Sequence, residues 1–163
     1  MEFENNFKFE KVGKNREKLL ELEKTGKYVF HGSPFILTSV DPMQAEGENL
    51  QTGKMEKDGN PAICASDLAD QAIFRSLIHE KLGQGNSTAR FGTDKKDRLS
   101  FLASQDLIDI AKNRKSAVYV FEKNKFYLVG DEGHEWRSEQ SVIPEFIIEV
   151  DFNDLPKDIQ IVE

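Results

Sequence analysis

The order of its hydrophobic patterns is the feature of this chain that most restricts its fold. Residues 15–24 and 68–82 carry apolar side chains at helical spacing, and both segments lie early in the sequence. The last third contains short β-branched and aromatic runs separated by turn-forming residues, at 117–121, 126–129, 135–143 and 146–150. Helices gathered early and hairpins gathered late predict an α+β fold with an antiparallel meander, and not a regular parallel βαβ sheet.

Shorter patterns complete this expectation. They predict strands at 27–31, 62–65 and 98–103 and a capped helix at 104–111. Ser66 or Asp67 is the expected N-cap of the helix that follows it. Residues 41–61 are polar and rich in Gly, Asn and Lys, which predicts a long surface loop of the kind that often carries function. Because no linker interrupts the chain, we expect one domain over 1–163, with 1–26 as an N-terminal helical extension.

Composition excludes several classes of protein. The chain has 22 Lys and Arg against 29 Asp and Glu, a net charge of −7, so no strong basic face for nucleic acid is expected. The single cysteine, Cys64, forms no internal disulfide, and its apolar neighbours favour a buried strand over a reactive thiol. The sequence shows no signal peptide and no apolar run of the roughly 20 residues that span a membrane, so we expect a cytoplasmic protein with no membrane partner.

The common motifs of nucleotide, metal and nucleophile sites are missing from the sequence. It contains no GxxxxGK[ST], GxGxxG, HExxH, paired CxxC or GxSxG pattern. The histidines His31, His79 and His134 lack the spacing of metal ligands, so no metal site is predicted. We expect His79 late in a helix at the surface and His134 exposed in a turn.

His31 occupies a different kind of position. It ends an apolar strand and is followed by Gly32, Ser33 and Pro34, so its ring lies where the strand becomes a loop. Glycine at that point lets a ligand approach the backbone closely. A histidine at a strand end is more often structural than functional, so this feature alone leaves both interpretations open.

Three separate blocks carry a family resemblance. They are His31-Gly32-Ser33 after a strand, residues 63–67 leading into a helix with Phe74, and residues 138–144 on a late strand. Their order is similar to the diphtheria-toxin-like and poly(ADP-ribose) polymerase branch of the ADP-ribosyltransferase superfamily. That branch has His-Gly-[Ser/Thr], then Tyr-Phe-Ala leading to a Tyr, then a Glu on a late strand. The matched blocks extend from Lys27 to Val150.

The resemblance implies split antiparallel β-sheets with flanking helices and a mono-ADP-ribosyltransferase that consumes NAD. Glu139 falls at the catalytic glutamate, and His31 is the second residue implied in catalysis. Cleavage of the nicotinamide–ribose bond develops positive charge on the ribose, as in glycoside cleavage, and a carboxylate stabilises that charge. Glu135, Glu145 and Glu149 lie close by and stay open as the carboxylate if the register differs.

The resemblance also implies an NAD site. By position, His31 contacts a ribose hydroxyl, the backbone of Gly32 pairs with the nicotinamide carboxamide, and Ser33 adds a polar contact. Phe74 stands where the family has the tyrosine that stacks on nicotinamide, and it keeps the stacking face without the hydroxyl. Ile63 occupies the place of the middle tyrosine and removes one expected wall of the site.

Other functions remain open from the sequence. The same fold could serve as a binding module without turnover, which the residues at 63 and 74 favour. An RNA 2′-phosphotransferase would need several basic residues around the pocket, and the sequence near His31 and Glu139 does not supply that number. An acidic interaction protein unrelated to NAD is a further alternative. The acceptor of ADP-ribose, whether protein, nucleic acid or small molecule, is not identified by sequence, and the 41–61 segment is the candidate to contact it.

Overall fold

The fold is mixed α+β, as the sequence predicts. The computed structural model describes residues 15–35, 37, 39–96 and 98–163, so residues 1–14 of the expected N-terminal extension lie outside the described residues. The α-helices are α1 (Asn15–Lys24), α2 (Ala69–Leu77) and α3 (Gln105–Ala111). The strands are β1 (Tyr28–Ser33), β2 (Met43–Glu48), β3 (Met55–Ser66), β4 (Ala89–Thr93), β5 (Leu99–Ser104), β6 (Lys115–Glu122), β7 (Tyr127–Leu128), β8 (Glu135–Ser138), β9 (Phe146–Asp151) and β10 (Ile159–Val162).

Two sheets organise the described part of the chain. The larger has seven strands in the order β7-β8-β3-β1-β6-β9, with β2 also paired to β3, and its neighbouring strands run antiparallel. The smaller has the order β10-β5-β4, in which β5 pairs parallel with β10 and antiparallel with β4. The sheets are therefore antiparallel apart from one edge pair.

β1 and β3 form the shortest strand pairing of the larger sheet. Their register consists of one pair, Phe30 opposite Ser66, whereas β1 pairs with β6 along its whole length. Two residues before Ser66, the carbonyl oxygen of Cys64 lies 2.6 Å from Nδ1 of His31. The carbonyl of Cys64 is therefore hydrogen-bonded by a histidine side chain, at a point where β1 and β3 share no further register pair.

Hydrophobic side chains pack on both faces of the larger sheet. On one face, helices α1, α2 and α3 cover a cluster that includes Leu19, Phe30 and Leu107. On the other face, Val29 and Tyr119 belong to a second cluster. Alternation along β1 sends Val29 and Phe30 to opposite faces, which is why one strand contributes to both cores. None of the helices in the described ranges is long and apolar enough to cross a membrane.

The prediction of a surface loop at 41–61 is wrong, because this segment forms a hairpin of β2 and the first half of β3. Its turn is closed by the amide of Asn49 donating to the carbonyl of Lys54 at 2.8 Å, and Gly53 there has a φ of +68°. The seven residues 55–61 are all exposed. Because both faces of this part of β3 are exposed, its sequence shows no hydrophobic alternation from which a strand could be predicted. Main-chain pairing with β2 stabilises it instead.

The helix predicted to continue to Leu82 ends at Leu77, and Glu80–Leu82 forms a separate 3₁₀ turn. His79 therefore lies beyond the helix, contrary to the prediction. Its Nδ1 accepts a hydrogen bond from the amide of Lys81 at 3.1 Å and so caps that turn. The expected side-chain N-cap is also wrong, because Leu68 occupies the N-cap position without a side-chain bond.

The C-terminal strands form without the predicted meander. β6 pairs with β1 and β9 instead of with its chain neighbour β7, and only β7 and β8 form a hairpin. The strand predicted at 135–143 ends at Ser138. There the Ser138 hydroxyl accepts from the amide of Gln140 at 3.3 Å, a local side-chain bond that competes with strand pairing. Glu139 consequently follows the strand instead of lying within it.

Candidate functional site

A cleft of about 430 Å³ opens on the face of the larger sheet that carries α2. We call it the central cleft. Its walls come from β1, β3, α2, β4 and β8, and its lining includes Gly32, Cys64, Ser66, Gln71, Arg75, Phe91, Thr93, His134, Glu135 and Arg137. A volume of this size is in the range of sites that bind small molecules and cofactors. The mixture of aromatic, basic and acidic side chains is suited to a polar ligand with a ring.

Gly32 lies where β1 meets α2, and close packing explains the glycine there. A Cβ atom at this position would lie 1.9 Å from the carbonyl oxygen of Ala72 and 3.0 Å from the amide nitrogen of Ser76. Both atoms belong to the backbone of α2, so a side chain cannot be accommodated without moving the helix. Glycine at residue 32 therefore sets the distance between strand and helix beside the central cleft.

Arg137 is the buried charge of the cleft. Its guanidinium contacts Glu135 Oε1 through Nε at 2.8 Å and through a terminal nitrogen at 2.7 Å. It also donates to the carboxylate of Asp58 at 2.9 Å and to the carbonyl of that residue at 3.1 Å. Burial by itself lowers the pKa of Arg137, but the bonds from Glu135 and Asp58 outweigh burial and raise it. One positive and two negative charges give this group a net negative charge.

Arg75 differs from Arg137 in both its exposure and its contacts. It projects from α2 into the cleft and is exposed. Within the described ranges, its guanidinium has no hydrogen bond or ion pair. Arg75 and Arg137 are far apart in the sequence, yet folding brings both to the same cleft.

Asp67 is the centre of a hydrogen-bonded group that includes His134, a lining residue of the cleft. The carboxylate of Asp67 contacts Nδ1 of His134 at 2.7 Å and accepts from Nε1 of Trp136 at 3.2 Å. His134 is therefore partly buried, with 21% of its side chain exposed, and the prediction that it is exposed in a turn is wrong. The physical reason is that Asp67, at the start of the helical segment, draws the ring against the cleft wall.

His31 is not among the lining residues of the central cleft, because alternation along β1 places its side chain with Val29 on the face of the sheet opposite Phe30 and Gly32. Because a carbonyl only accepts, Nδ1 carries the proton in the bond to Cys64, which fixes the tautomer of the ring. The ring also lies 6.2 Å from that of Tyr119. Burial lowers the pKa of His31, the bond to Cys64 opposes this, and the charge of Arg75 lowers it further.

This lowered pKa predicts a pH dependence of stability. Below the ordinary value of 6.5 the unfolded chain takes up a proton that the folded protein resists, so the free energy of unfolding falls as pH falls through that region. His31→Gln keeps a donor for the carbonyl and removes the titration. Urea unfolding at pH 7.5 and pH 5.5 should therefore show a smaller loss of stability in the variant than in the parent, and equal losses would contradict this role.

The remaining sequence-predicted residues lie in different environments. Ser33 is buried, and its hydroxyl accepts from the amide of Phe35 at 3.2 Å. Ile63 belongs to the core on the opposite face of the sheet. Phe74 is 1% exposed and packs 5.1 Å from Phe101, between ring centroids, while also lining a smaller second pocket. Gly32 is therefore the predicted cofactor-binding residue that lines the central cleft.

Glu139 is exposed and lies outside the lining of the central cleft. Its carboxylate accepts a hydrogen bond from the side-chain amide of Asn60 at 3.0 Å, on the exposed part of β3. Glu135 and Asp58 are carboxylates that line the cleft, and Glu135 is one of the alternatives left open by the sequence. Alternation along β8 sends Glu135 and Arg137 to the cleft and Trp136 to the other face. It would send Glu139 to the cleft as well if the strand continued, so the end of β8 at Ser138 is what separates the two glutamates.

Several residues that line the cleft were not predicted as functional. Arg75 belongs to a helical pattern that reads as a solvated face, and Arg137 looks like an ordinary polar strand position. Within the described ranges, no group of three or more His, Cys, Asp or Glu side chains is placed to hold a metal ion. Comparison with protein-family models, with characterised proteins and with solved structures finds no match to this chain. The function must therefore be argued from the geometry of the cleft.

Proposed function

We propose that this protein binds NAD in the central cleft and transfers ADP-ribose to an acceptor, releasing nicotinamide. One observation carries the proposal: three blocks far apart in sequence meet on neighbouring strands. His31-Gly32-Ser33 lies on β1, residues 63–66 end β3, and residue 138 ends β8, and these strands are adjacent in the order β8-β3-β1. The narrow β1–β3 pairing beside the cleft agrees with the split sheets of an ADP-ribosyltransferase-like fold, which is part of the proposal.

The reaction breaks the bond between nicotinamide nitrogen and ribose C1′, and nicotinamide leaves with the bonding electrons. A new bond forms between C1′ and a nucleophilic atom of the acceptor, which loses its proton. The developing cation is stabilised most by negative charge fixed in advance. We assign this role to Glu135, because Arg137 orients its carboxylate at the cleft. Asp58 adds the second negative charge that keeps the group anionic.

The β2–β3 hairpin is the part of the molecule best placed to contact the acceptor. Asp58, on the hairpin, is bonded to Arg137 in the cleft, so the hairpin begins at the site itself. Farther out, the hairpin exposes large apolar side chains, with Leu50 93% and Met55 63% exposed. Exposed apolar side chains beside a cleft are typical of surfaces that meet another molecule.

A binding module without turnover is the second candidate. It is favoured by the double contact between Arg137 and Glu135, which occupies one carboxylate oxygen, and by the burial of Ile63 and Phe74 in the core. An NAD-binding protein of this kind would recognise the nucleotide and leave its glycosidic bond intact. Binding is common to both candidates, and the release of nicotinamide separates them.

The test is to incubate the purified protein with NAD and to follow free nicotinamide by chromatography. Time-dependent release, linear in protein concentration, is the expected result. If none is released, calorimetry with NAD distinguishes the remaining cases. Binding without release would establish the non-catalytic module, whereas absence of both would overturn the NAD proposal.

A further inference from the structure

The central cleft has a smaller neighbour on the same side of α2. This second pocket has a volume of about 130 Å³, and its walls include His79 and Ala89. Arg75 and Phe91 line both cavities, so they form the boundary that the two share. A ligand that filled both cavities would have two separate groups and a linking part that passes Arg75 and Phe91.

Arg75 is suited to contact the linking part of such a ligand. It is exposed, and it has no hydrogen bond or ion pair with the described residues. Arg137, by contrast, is 6% exposed and is bonded to Glu135 and Asp58. A guanidinium presents paired donors that match two phosphate oxygens. Among the two arginines of the cleft, Arg75 is therefore the one available to an anionic ligand.

Phe91 supplies an apolar surface at the same boundary. Its ring is 38% exposed and lies 6.0 Å, between centroids, from the buried ring of Phe74. A ring fixed by a buried neighbour and open on another side is a platform on which a base can stack. The boundary thus combines a cation for phosphate with an aromatic surface for a base.

We propose that Arg75 binds the diphosphate of a dinucleotide whose two halves occupy the central cleft and the second pocket, with one base against Phe91. This inference rests on the proposed function and specifies how the site recognises its substrate. The diphosphate linkage selects a dinucleotide over a nucleoside that fills only the central cleft.

The matched control for Arg75 is Arg90. Arg90 directly precedes Phe91 on β4, is exposed, and lines neither cavity, because alternate side chains of a strand point to opposite faces. Arg75→Gln and Arg90→Gln each remove one positive charge from an exposed side chain. A difference between them reports local contact and not net charge.

The experiment is calorimetric titration of the parent, Arg75→Gln and Arg90→Gln with ADP-ribose, NAD and nicotinamide riboside. Loss of charged hydrogen bonds to phosphate should weaken ADP-ribose and NAD binding by Arg75→Gln about 10- to 100-fold. Arg90→Gln should bind like the parent, and nicotinamide riboside, which has no phosphate, should bind both variants alike.

Three results would overturn the inference. If the parent binds NAD and Arg75→Gln binds it equally well, Arg75 is not the phosphate contact and the proposed function stands. If Arg75→Gln weakens nicotinamide riboside as much as ADP-ribose, the residue acts on the central cleft as a whole and not on the diphosphate. If the parent binds neither ADP-ribose nor NAD, the proposed function fails and the inference fails with it.

Discussion

Replacing Gly32 with alanine is expected to lower the free energy of unfolding by about 3 kcal/mol, a large effect for one methyl group. The added Cβ would lie 1.9 Å from the carbonyl oxygen of Ala72, inside the backbone of α2. Helix and strand would have to separate, which also disturbs the apolar contacts of Phe30 and Ile73. Urea unfolding followed by circular dichroism measures the loss.

Gly92→Ala is the control for this prediction. Gly92 also lies in a strand and lines the central cleft, but a Cβ there has nothing within 4 Å. Its stability should stay within about 0.5 kcal/mol of the parent or increase slightly, because alanine is favoured over glycine in a strand. If Gly32→Ala folds with the parent's stability and loses only NAD binding, Gly32 serves ligand approach and not helix packing.

Replacing Glu135 with glutamine should reduce nicotinamide release at least ~100-fold, the scale expected when a main electrostatic stabiliser of a transition state is lost. The substitution keeps the size of the side chain and removes the charge that faces the cleft. Glu139→Gln should change the rate less than roughly threefold, since that carboxylate lies outside the cleft lining and contacts Asn60. Initial rates at saturating NAD provide the comparison.

Glu135 also contacts Arg137, so its substitution needs a stability control. Urea unfolding of both glutamine variants shows whether either has lost its fold, and Glu135, 48% exposed, is expected to contribute little to stability. A folded Glu135→Gln protein with unchanged release, alongside a large loss in Glu139→Gln, would contradict the assignment. That result would return the catalytic role to the residue that the family resemblance indicated.

Elements with at least one buried face could be predicted from the sequence. α1, α3, β5, β6 and β9 were predicted within a few residues of their bounds, because each alternates or repeats apolar side chains toward a core. The β2–β3 hairpin could not be predicted, since its outer half has no buried face. Pairing order was also inaccessible, because β6 carries the same pattern whether it pairs with β1 or with its chain neighbour β7.

The candidate site, like the fold, could be predicted from the sequence only in part. Gly32 was singled out from its place at a strand end, and the structure puts it at the cleft, although helix packing explains why glycine is needed there. The choice between Glu135 and Glu139 depends on where β8 ends, and element boundaries are the least certain part of any pattern. Arg75 and Arg137 come from different segments, so only the folded chain brings them to one cleft.

The central claim is that NAD occupies the central cleft, and the chain carries its own probe for this. Cys64 is the single cysteine, it lines the cleft, and burial raises the pKa of its thiol, so thiol reagents should label it slowly. We expect NAD or ADP-ribose to slow the labelling of Cys64 in proportion to the fraction of sites occupied. A labelling rate that stays unchanged at millimolar NAD would contradict the account.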